Sequence, residues 1–314
     1  MIEIKSLTKV FGDKTAVDNL TFEVHDGEIV GFLGPNGAGK STTMNILTGY
    51  LSATSGSAKI NGADVFEDPK RAKQNIGFLP ELPPLYLDMT VLEYLKFVYE
   101  LKGAKQRRNK HLDEICTMTG IKDVKNRVIK NLSKGYRQRV GIAQALVGDP
   151  RVLIFDEPTV GLDPNQIIEI RNLIKALGKK HTVILSTHIL SEVQAVCDRI
   201  IIINKGKIAL DSPTDKLLTN TAGVMKYRAK LACSDSNTAV KLVSSVDGVM
   251  TVTPVESSES GVCEVIFESD PLIDTRKCLF NTLSAKGVAL MGLESVTLTL
   301  EDIFTRLTTE KGVK

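Results

Sequence analysis

Apolar residues in the first two thirds of the chain fall into short runs separated by longer segments with helical spacing. Apolar or β-branched runs occupy residues 28–33, 152–155, 182–186 and 200–204. Their lengths predict strands, and the first two runs are typical of central strands buried on both faces. The segment 164–177, between two of these runs, has helical spacing. The alternation therefore predicts an α/β sheet domain.

Residues 82 to about 150 depart from this alternation, because helical spacing dominates them. Residues 91–102 show it clearly, and a basic run at 102–110 follows. We predict a helical subdomain inserted into the sheet domain. The basic run is typical of a solvated helix end and loop, and a membrane-facing role is the alternative.

The last third of the chain has its own pattern, which predicts a second, smaller domain. Apolar and basic residues alternate over 225–231, which indicates a strand with one solvated face. The segments that follow are predicted as helix 237–245, strand 249–255, strand 262–268, helix 271–286 and strand 288–293. The order βαββαβ is the split pattern of ferredoxin-like domains. We therefore predict a first domain over residues 1–220 and a C-terminal α+β domain over 221–314.

Length, charge and cysteine usage restrict the function classes. A chain of 314 residues favours two domains, and a net charge of +3 gives no support for nucleic-acid binding. No run approaches the roughly 18 apolar residues of a membrane span, and we expect no signal peptide. The five cysteines are scattered without metal-ligand spacing, so reduced thiols in a cytoplasmic protein are expected.

The segment from Gly34 to Ser41 is the first candidate site. It matches the pattern G-x-x-x-x-G-K-[ST], follows the strand at 29–33 and opens helical spacing that continues through Thr42. Its glycines let backbone N–H groups surround phosphate oxygens, and the helix N-terminus favours negative charge. Lys40 is expected to reach the β- and γ-phosphates, and the Ser41 hydroxyl to bind Mg²⁺. An ordinary glycine-rich turn is the structural alternative, which the strand–loop–helix context disfavours.

A pair of acids at the end of an apolar strand is the second candidate site. Asp156 and Glu157 follow the run 152–155 directly, and the carboxyl ends of strands border the ligand crevice of α/β sheets. Asp156 is placed to hold Mg²⁺, and Glu157 to polarise the water that attacks the γ-phosphate. Two solvated acids at a strand exit are the alternative, which the nearby phosphate loop disfavours.

A third motif lies between these two sites. Residues 132–139, LSKGYRQR, resemble the L-S-G-G-Q signature of the ABC ATPases and stand shortly before the acidic strand, as in that family. Ser133 and Gly135 are expected to open a helix whose N-terminus binds a γ-phosphate. In the family this phosphate belongs to the partner subunit's nucleotide, so two chains hold two ATP molecules head to tail. For Ser133 alone, a simple helix cap is the alternative.

Further positions match the family in chain order. Phe11 resembles the aromatic residue that stacks on adenine, although an apolar plug is an alternative interpretation. Glu81 stands where the family has the glutamine of its Q-loop, and residues 161–163 resemble the D-loop that contacts the partner subunit. His188 resembles the switch histidine that hydrogen-bonds the γ-phosphate and orients Glu157. Taken alone, a single histidine is more often structural.

The resemblance, which covers residues 1 to about 220, implies a P-loop ABC ATPase domain with defined site residues. It implies that Glu157, His188 and Lys40 are catalytic. It implies Mg²⁺ ligands at Ser41, Asp156 and Glu81. The residues implied in ATP binding are Phe11, Gly34, Pro35, Asn36, Gly37, Ala38, Gly39, Lys40, Ser41, Thr42, Glu81, Ser133 and Gly135.

Three residues depart from the family pattern. The second signature glycine is Lys134 here, the signature glutamine is Tyr136, and the Q-loop glutamine is Glu81. Lys134 adds a positive charge next to the expected phosphate contact. Glu81 offers a full negative charge to Mg²⁺, which binds a hard cation well but repels the γ-phosphate. A solvated acid before a turn is the alternative for Glu81.

The resemblance also implies partners and a place in the cell. The expected function is that of an ATP-hydrolysing subunit, in a homodimer, that energises a separate membrane permease at the cytoplasmic face of the membrane. The C-terminal region resembles the extension of a bacterial branch that includes gliding-motility, drug-export and sodium-export ATPase subunits, which favours export and a regulatory or accessory role for residues 221–314.

Two other function classes compete with this interpretation. One is a soluble ABC ATPase that acts on DNA or ribosomes, but the chain has no sustained heptad run and only one phosphate loop. The other is a nucleotide-dependent regulatory module without turnover, which the presence of Glu157 and His188 disfavours. A neighbouring gene for a membrane-spanning permease would discriminate between them.

Overall fold

The protein is described from a computed structural model that covers residues 1–220, 225–233, 235–257, 259, 261–270, 272–296 and 300–309. The described chain separates into two compact units. The first contains Met1–Thr214 together with residues 306–309, and the second contains Asp215–Thr305. The predicted boundary at 220/221 falls beside residues 221–224, which lie outside the described part of the chain.

The strands and helices are numbered here in chain order. The strands are β1 (Ile2–Phe11), β2 (Lys14–Val24), β3 (Ile29–Leu33), β4 (Ser55–Ile60), β5 (Ala63–Asp64), β6 (Ile76–Leu79), β7 (Val152–Asp156), β8 (Thr182–Thr187), β9 (Arg199–Asn204), β10 (Lys207–Pro213), β11 (Met225–Ala232), β12 (Val249–Val255), β13 (Val262–Ser269) and β14 (Leu290–Val296). The helices are α1 (Lys40–Leu47), α2 (Pro69–Gln74), α3 (Val91–Lys102), α4 (Arg108–Met118), α5 (Lys134–Leu146), α6 (Pro164–Gly178), α7 (Leu190–Val196), α8 (Thr214–Asn220), α9 (Ser236–Ser244), α10 (Thr275–Ala285) and α11 (Leu300–Thr309).

Two sheets form the frame of the first unit. A six-stranded sheet has the order β10-β9-β3-β8-β7-β6, in which only β10 runs antiparallel to its neighbour. Its strands β3 and β7 are buried throughout, as their continuous apolar runs predict. A four-stranded antiparallel sheet has the order β2-β1-β4-β5. Because β3, β6, β7 and β8 are parallel, the segments that follow them meet at one edge of the sheet.

The chain between β6 and β7 contains the helices α3, α4 and α5, in the region predicted to be a helical subdomain. Thr90 and Glu93 begin α3 with reciprocal side-chain and backbone hydrogen bonds, which satisfy the first free N–H groups of the helix. At the other end, Lys102 donates hydrogen bonds to the carbonyl groups of Ala145 and Val147, at 3.3 and 3.1 Å. This lysine therefore ties α3 to the C-terminal end of α5.

The second unit contains an antiparallel sheet of order β12-β13-β11-β14. Its elements follow one another as β11, α9, β12, β13, α10 and β14, the βαββαβ order that the sequence predicts. Alternate residues of β11 are buried, including Tyr227, Ala229 and Leu231, and they pack in an apolar cluster with side chains of α9 and α10. The predicted start of α10 at Pro271 lies outside the described residues, and the helix begins at Thr275.

Candidate functional site

The phosphate loop connects the buried strand β3 to the helix α1. Lys40, the first residue of α1, is buried, and its ammonium donates hydrogen bonds to the carbonyl oxygens of Gly34 at 2.7 Å and Pro35 at 3.4 Å. These bonds hold the ammonium across the mouth of the loop. The strand–loop–helix context expected from the motif is therefore present.

Two glycines of this loop have geometry that other residues would not tolerate. Gly39 has a φ of 110°, and a Cβ there would lie 2.5 Å from the carbonyl oxygen of Ala16. A Cβ at Gly34 would overlap the carbonyl of Ile203. Because side chains are excluded at these points, the backbone N–H groups of the loop are free to surround a phosphate. The residues of this loop thus fit the phosphates of a nucleoside triphosphate.

A cleft of about 410 Å³ opens in front of the loop. It brings together most of the nucleotide-site residues expected from the sequence, which come from five separate segments. Its lining residues are Phe11, Lys14, Ala16, Asn36, Gly37, Gly39, Lys40, Ser41, Thr42, Glu81, Glu157, Val160 and His188. Lys14, Ala16 and Val160 were not expected from the motifs.

Glu157 lines the cleft and directly follows β7. His188 Nδ1 is 2.8 Å from its Oε1, and the Lys40 ammonium is 4.0 Å from the same oxygen. Its backbone has a φ of 50°, in the left-handed region that non-glycine residues rarely adopt. Such strain is typical of functional positions, where the surroundings hold an unfavourable backbone in place.

Buried polar side chains that contact Glu157 or one another were not predicted from the sequence; they are Thr159, Thr187 and Glu192. The Thr187 hydroxyl lies 3.3 Å from Glu157 Oε2 and 3.3 Å from Glu192 Oε2, so it bridges two carboxyl groups. Thr159 donates to the other oxygen of Glu192 at 2.5 Å. Burial raises the pKa of Glu192, which favours its protonated form beside Glu157. Glu192 lies on α7, outside every recognisable motif, so no local signal could have identified it.

The electrostatics of the cleft centre on Lys40. Burial lowers the pKa of this lysine, and the nearby carboxylates of Glu157, Asp156 and Glu81 oppose that effect. Asp156 is buried at the end of β7, where its Oδ1 accepts a hydrogen bond from the Ser186 hydroxyl at 2.7 Å. The site therefore places the buried ammonium of Lys40 near three acids, an arrangement suited to hold phosphates together with a divalent metal ion.

The signature residues lie apart from this cleft, at the N-terminus of α5. Ser133 caps the helix by accepting a hydrogen bond from the backbone N–H of Tyr136 at 3.4 Å. Gly135 is buried against α6, and a Cβ there would lie 2.6 Å from the side chain of Gln166. The Tyr136 hydroxyl donates to Asp123 at 3.0 Å, so this departure from the family pattern has a local partner.

Comparison with known proteins agrees with this geometry. The model of the family described as "ABC transporter" matches residues 17–160. The chain is 37% identical over 245 residues to the bacitracin transport ATP-binding protein BcrA of Bacillus licheniformis, which covers 77% of this chain and 78% of that protein. It is 32% identical over 310 residues to an uncharacterised ABC transporter ATP-binding protein, YxlF, of Bacillus subtilis, with 98% and 99% covered.

The chain belongs to the ATP-binding proteins of ABC transporters. Its fold is also similar to a solved dimeric structure of the ATP-binding cassette MJ0796 in a post-hydrolysis state, bound to ADP and phosphate. That similarity has a TM-score of 0.62 at 28% identity and covers 68% of this chain and 99% of that chain. The ABC protein is thus an ATP-binding and ATP-hydrolysing transporter subunit with the P-loop ABC ATPase fold, as the sequence motifs predict.

In the part of the chain that the structure describes, each helix is too short or too polar to cross a bilayer.

Proposed function

We propose that Glu157 activates the water that attacks the γ-phosphate of ATP, with His188 holding its carboxylate. The contact between His188 Nδ1 and Glu157 Oε1 at 2.8 Å, beside the phosphate loop, is the observation that carries this proposal. Lys40 binds the β- and γ-phosphates, to which a buried ammonium is strongly attracted. Phe11, 46% exposed at the edge of the cleft, presents an aromatic ring to the adenine.

Mg²⁺ is the second expected cofactor of the site. Ser41 opens onto the cleft, and Asp156 lies buried at the end of β7. Mg²⁺ in nucleotide sites keeps several waters and takes one or two carboxylates plus phosphate oxygens, which suits a hydroxyl, Asp156 and the carboxylate of Glu81. When bound, the ion neutralises charge that develops on the phosphates.

We infer that two copies of the chain enclose ATP head to tail. Ser133 and Lys134 are exposed at the N-terminus of α5, so they are accessible to a phosphate held by another chain. Gly135 brings the same helix end close to α6. The solved dimeric cassettes of the family support this arrangement for the present protein.

A separate membrane permease is the proposed partner. Large apolar side chains are exposed between β6 and α5, including Leu82 at 82% and Tyr86 at 53%. Tyr86 packs edge-on against Phe97, with ring centroids 5.4 Å apart. An exposed patch of this kind is typical of a protein–protein contact.

We propose that the protein works at the cytoplasmic face of the membrane, bound to a permease that works in export. The bacitracin transport role printed for one relative supports transport but does not identify the substrate.

The C-terminal unit is proposed to be a ferredoxin-like domain with an accessory or regulatory role. Its element order βαββαβ and its antiparallel strand order β12-β13-β11-β14 support that topology. Its own apolar cluster, which includes Val265, Phe267 and Leu279, supports independent folding.

The proposed role of Glu157 and the proposed head-to-tail dimer are tested together by replacing Glu157 with Gln. This change keeps the shape of the side chain and removes its charge. Hydrolysis should fall at least about 100-fold, within the usual range for a lost general base, while ATP binding is retained. The ATP-bound dimer should then accumulate in size-exclusion chromatography with Mg²⁺. Turnover near the wild-type rate would refute the role of Glu157. A variant that binds ATP but stays monomeric would refute the head-to-tail dimer.

A further inference from the structure

A second cavity lies at the edge of the six-stranded sheet opposite the nucleotide cleft. It has a volume of about 410 Å³. Asp149 and His181 line it and stand shortly before the parallel strands β7 and β8. Glu157 and His188, which line the nucleotide cleft, follow the same two strands. The other side of the cavity is formed by α4 and the residues just before it. The lengths of β7 and β8 therefore separate the cavity from the nucleotide cleft.

One buried histidine of this cavity has a ring nitrogen without a hydrogen bond. His181 is 6% exposed, and its Nδ1 lies 2.7 Å from the carbonyl oxygen of Pro150. Because a carbonyl oxygen only accepts hydrogen bonds, Nδ1 carries the proton of the neutral ring and Nε2 has a free lone pair. Among the described residues, the Asp149 carboxylate is near this Nε2, but at 4.0 Å it is too far for a hydrogen bond. A buried polar atom of this kind favours a ligand that supplies the missing bond.

The second histidine of the cavity has the opposite arrangement of donor and acceptor. His111 Nε2 accepts a hydrogen bond from the backbone N–H of Gly148 at 3.0 Å, so the proton of the neutral ring lies on Nδ1. Burial lowers the pKa of His111, which keeps the ring neutral near pH 7. One ring with a spare donor and one ring with a spare acceptor thus line the same cavity.

Basic side chains outnumber acidic ones around the cavity. Arg107, Lys110 and Lys180 are exposed and line it together with the acids Glu114 and Asp149. Lys110 lies 3.9 Å from Glu114, so these two charges largely offset each other. Within the described part of the chain, Arg107 and Lys180 have no ion pair, and both remain accessible to a ligand. The cavity therefore has an excess of positive charge, which favours an anion.

We propose that this cavity binds a protonated phosphate group, either inorganic phosphate or the phosphate of a small monoester. Arg107 and Lys180 attract the oxygens of the anion, and His111 Nδ1–H donates to one of them. The hydroxyl of the phosphate donates to His181 Nε2, beside the Asp149 carboxylate, which repels a fully deprotonated anion. A phosphate monoester loses this proton at about pH 6, so a protonated form persists near neutral pH. The site is independent of the function proposed for the nucleotide cleft.

The small number of histidines allows binding to be followed at single residues, because the chain has four of them. Imidazole proton signals of the full chain, saturated with Mg²⁺ and ADP, are recorded by NMR near neutral pH as inorganic phosphate is added. His188 reports phosphate in the nucleotide cleft. The variants His25→Gln and His188→Gln identify two of the signals and leave those of His111 and His181. These last two signals should shift to saturation with a common dissociation constant.

Substitutions of exposed residues test whether the cavity is the binding site without disturbing the core. Arg107→Gln and Lys180→Gln should each raise the dissociation constant of phosphate about tenfold, the loss of roughly one hydrogen bond to a charged group. Lys105→Gln and Lys179→Gln are the matched controls, because both lysines are exposed near these residues and neither lines the cavity. The control variants should bind phosphate within about twofold of wild type, since solvated surface charges contribute little.

Other anions identify the source of the phosphate group. Glycerol phosphate that binds more tightly than inorganic phosphate would assign the cavity to a monoester, and the reverse order would assign it to phosphate itself. Sulfate has a similar shape but no proton near neutral pH. It should bind at least about tenfold more weakly, because it cannot donate a hydrogen bond to His181.

Several results would overturn the proposal. Signals of His111 and His181 that do not move, or a shift confined to His188, would exclude phosphate from the cavity. Sulfate that binds as tightly as phosphate would remove the role of the proton. Equal effects of Lys179→Gln and Lys180→Gln would show a general attraction of anions to the surface instead of a site.

Discussion

The Glu157 carboxylate is held by two adjacent side chains at the end of β8. His188 lies 2.8 Å from Oε1, and the Thr187 hydroxyl lies 3.3 Å from Oε2. The backbone N–H of Glu157 donates to the Ser186 carbonyl at 2.8 Å, which fixes the strained turn after β7. A carboxylate fixed in this way keeps one orientation, and for the role that we propose for Glu157 such positioning contributes to catalysis.

Replacement of Thr187 by Val tests this layer at the scale of one residue. The change removes the hydroxyl between Glu157 and Glu192 while preserving the shape of the side chain. We expect kcat to fall about tenfold, the loss of roughly one hydrogen bond to a charged group, with KM for ATP changed less than about twofold. The measurement is steady-state ATPase kinetics.

Thr187→Ser is the matched control, because it keeps the hydroxyl and should retain most of the activity. A Thr187→Val enzyme with wild-type kcat would show that the hydroxyl does not position Glu157.

At the scale of secondary-structure elements, one partly buried lysine joins the helical region to the sheet. The Lys102 ammonium, at the end of α3, donates to the carbonyl oxygens of Ile76 at 3.3 Å, Ala145 at 3.3 Å and Val147 at 3.1 Å. It thereby links α3, the start of β6 and the end of α5. Burial lowers the pKa of Lys102 to about 8.

This lysine predicts a pH dependence of stability. The ordinary pKa of lysine is 10.5 and the folded value is about 8, so between these values the unfolded chain binds more protons than the folded chain. The free energy of unfolding therefore rises with pH through this window, by up to roughly 3 kcal/mol. Lys102→Met removes the titrating group and should remove this rise.

The measurement is urea denaturation of wild type and Lys102→Met at several pH values from 8 to 10.5. The difference between the two proteins isolates Lys102 from other groups that titrate in the same range. If the two free energies change with pH in parallel, the depressed pKa of Lys102 is wrong.

At the scale of the whole molecule, the chain leaves its first unit and returns to it. Residues 306–309 of α11 group with Met1–Thr214 rather than with the second unit. Asn204 Nδ2 donates to the Leu307 carbonyl at 2.9 Å, which ties this C-terminal segment to the end of β9. The catalytic residues proposed here all lie in the first unit.

We therefore predict that a chain ending at Asn220 still binds ATP, with an affinity within about threefold of wild type. It should melt a few degrees lower, because losing the hydrogen bond to Leu307 costs about 1 kcal/mol, which corresponds to ~2–4 °C in a unit of this size. ATP titration and thermal denaturation check the two statements.

Asn204→Ala in the full chain removes the same hydrogen bond without truncation, so it should reproduce that part of the loss in Tm. Complete loss of ATP binding in a folded truncation would contradict the separation of the nucleotide site from the C-terminal unit.

The sequence by itself determined the elements whose signals are local. The loop from Gly34 to Ser41, the acid pair at Asp156 and the start of α5 are each read from residues adjacent in the chain. Phosphate binding by a loop depends on backbone N–H groups and glycines within a few residues. Its pattern can therefore be recognised in the sequence without the tertiary structure. Continuous apolar runs likewise predicted the buried strands β3 and β7.

Only the tertiary structure decided which distant side chains share a cavity. Thr187 and Glu192 lie about thirty residues or more from Glu157, and their contacts with the site depend on how parallel strands are ordered in the sheet. Asp149 and His181 share a cavity for the same reason. Long-range packing sets such contacts. The periodicity of hydrophobic residues predicts strands and helices but does not predict which strand lies beside which. The sequence therefore showed which chemistry is present, and the fold decided which charges act on one another.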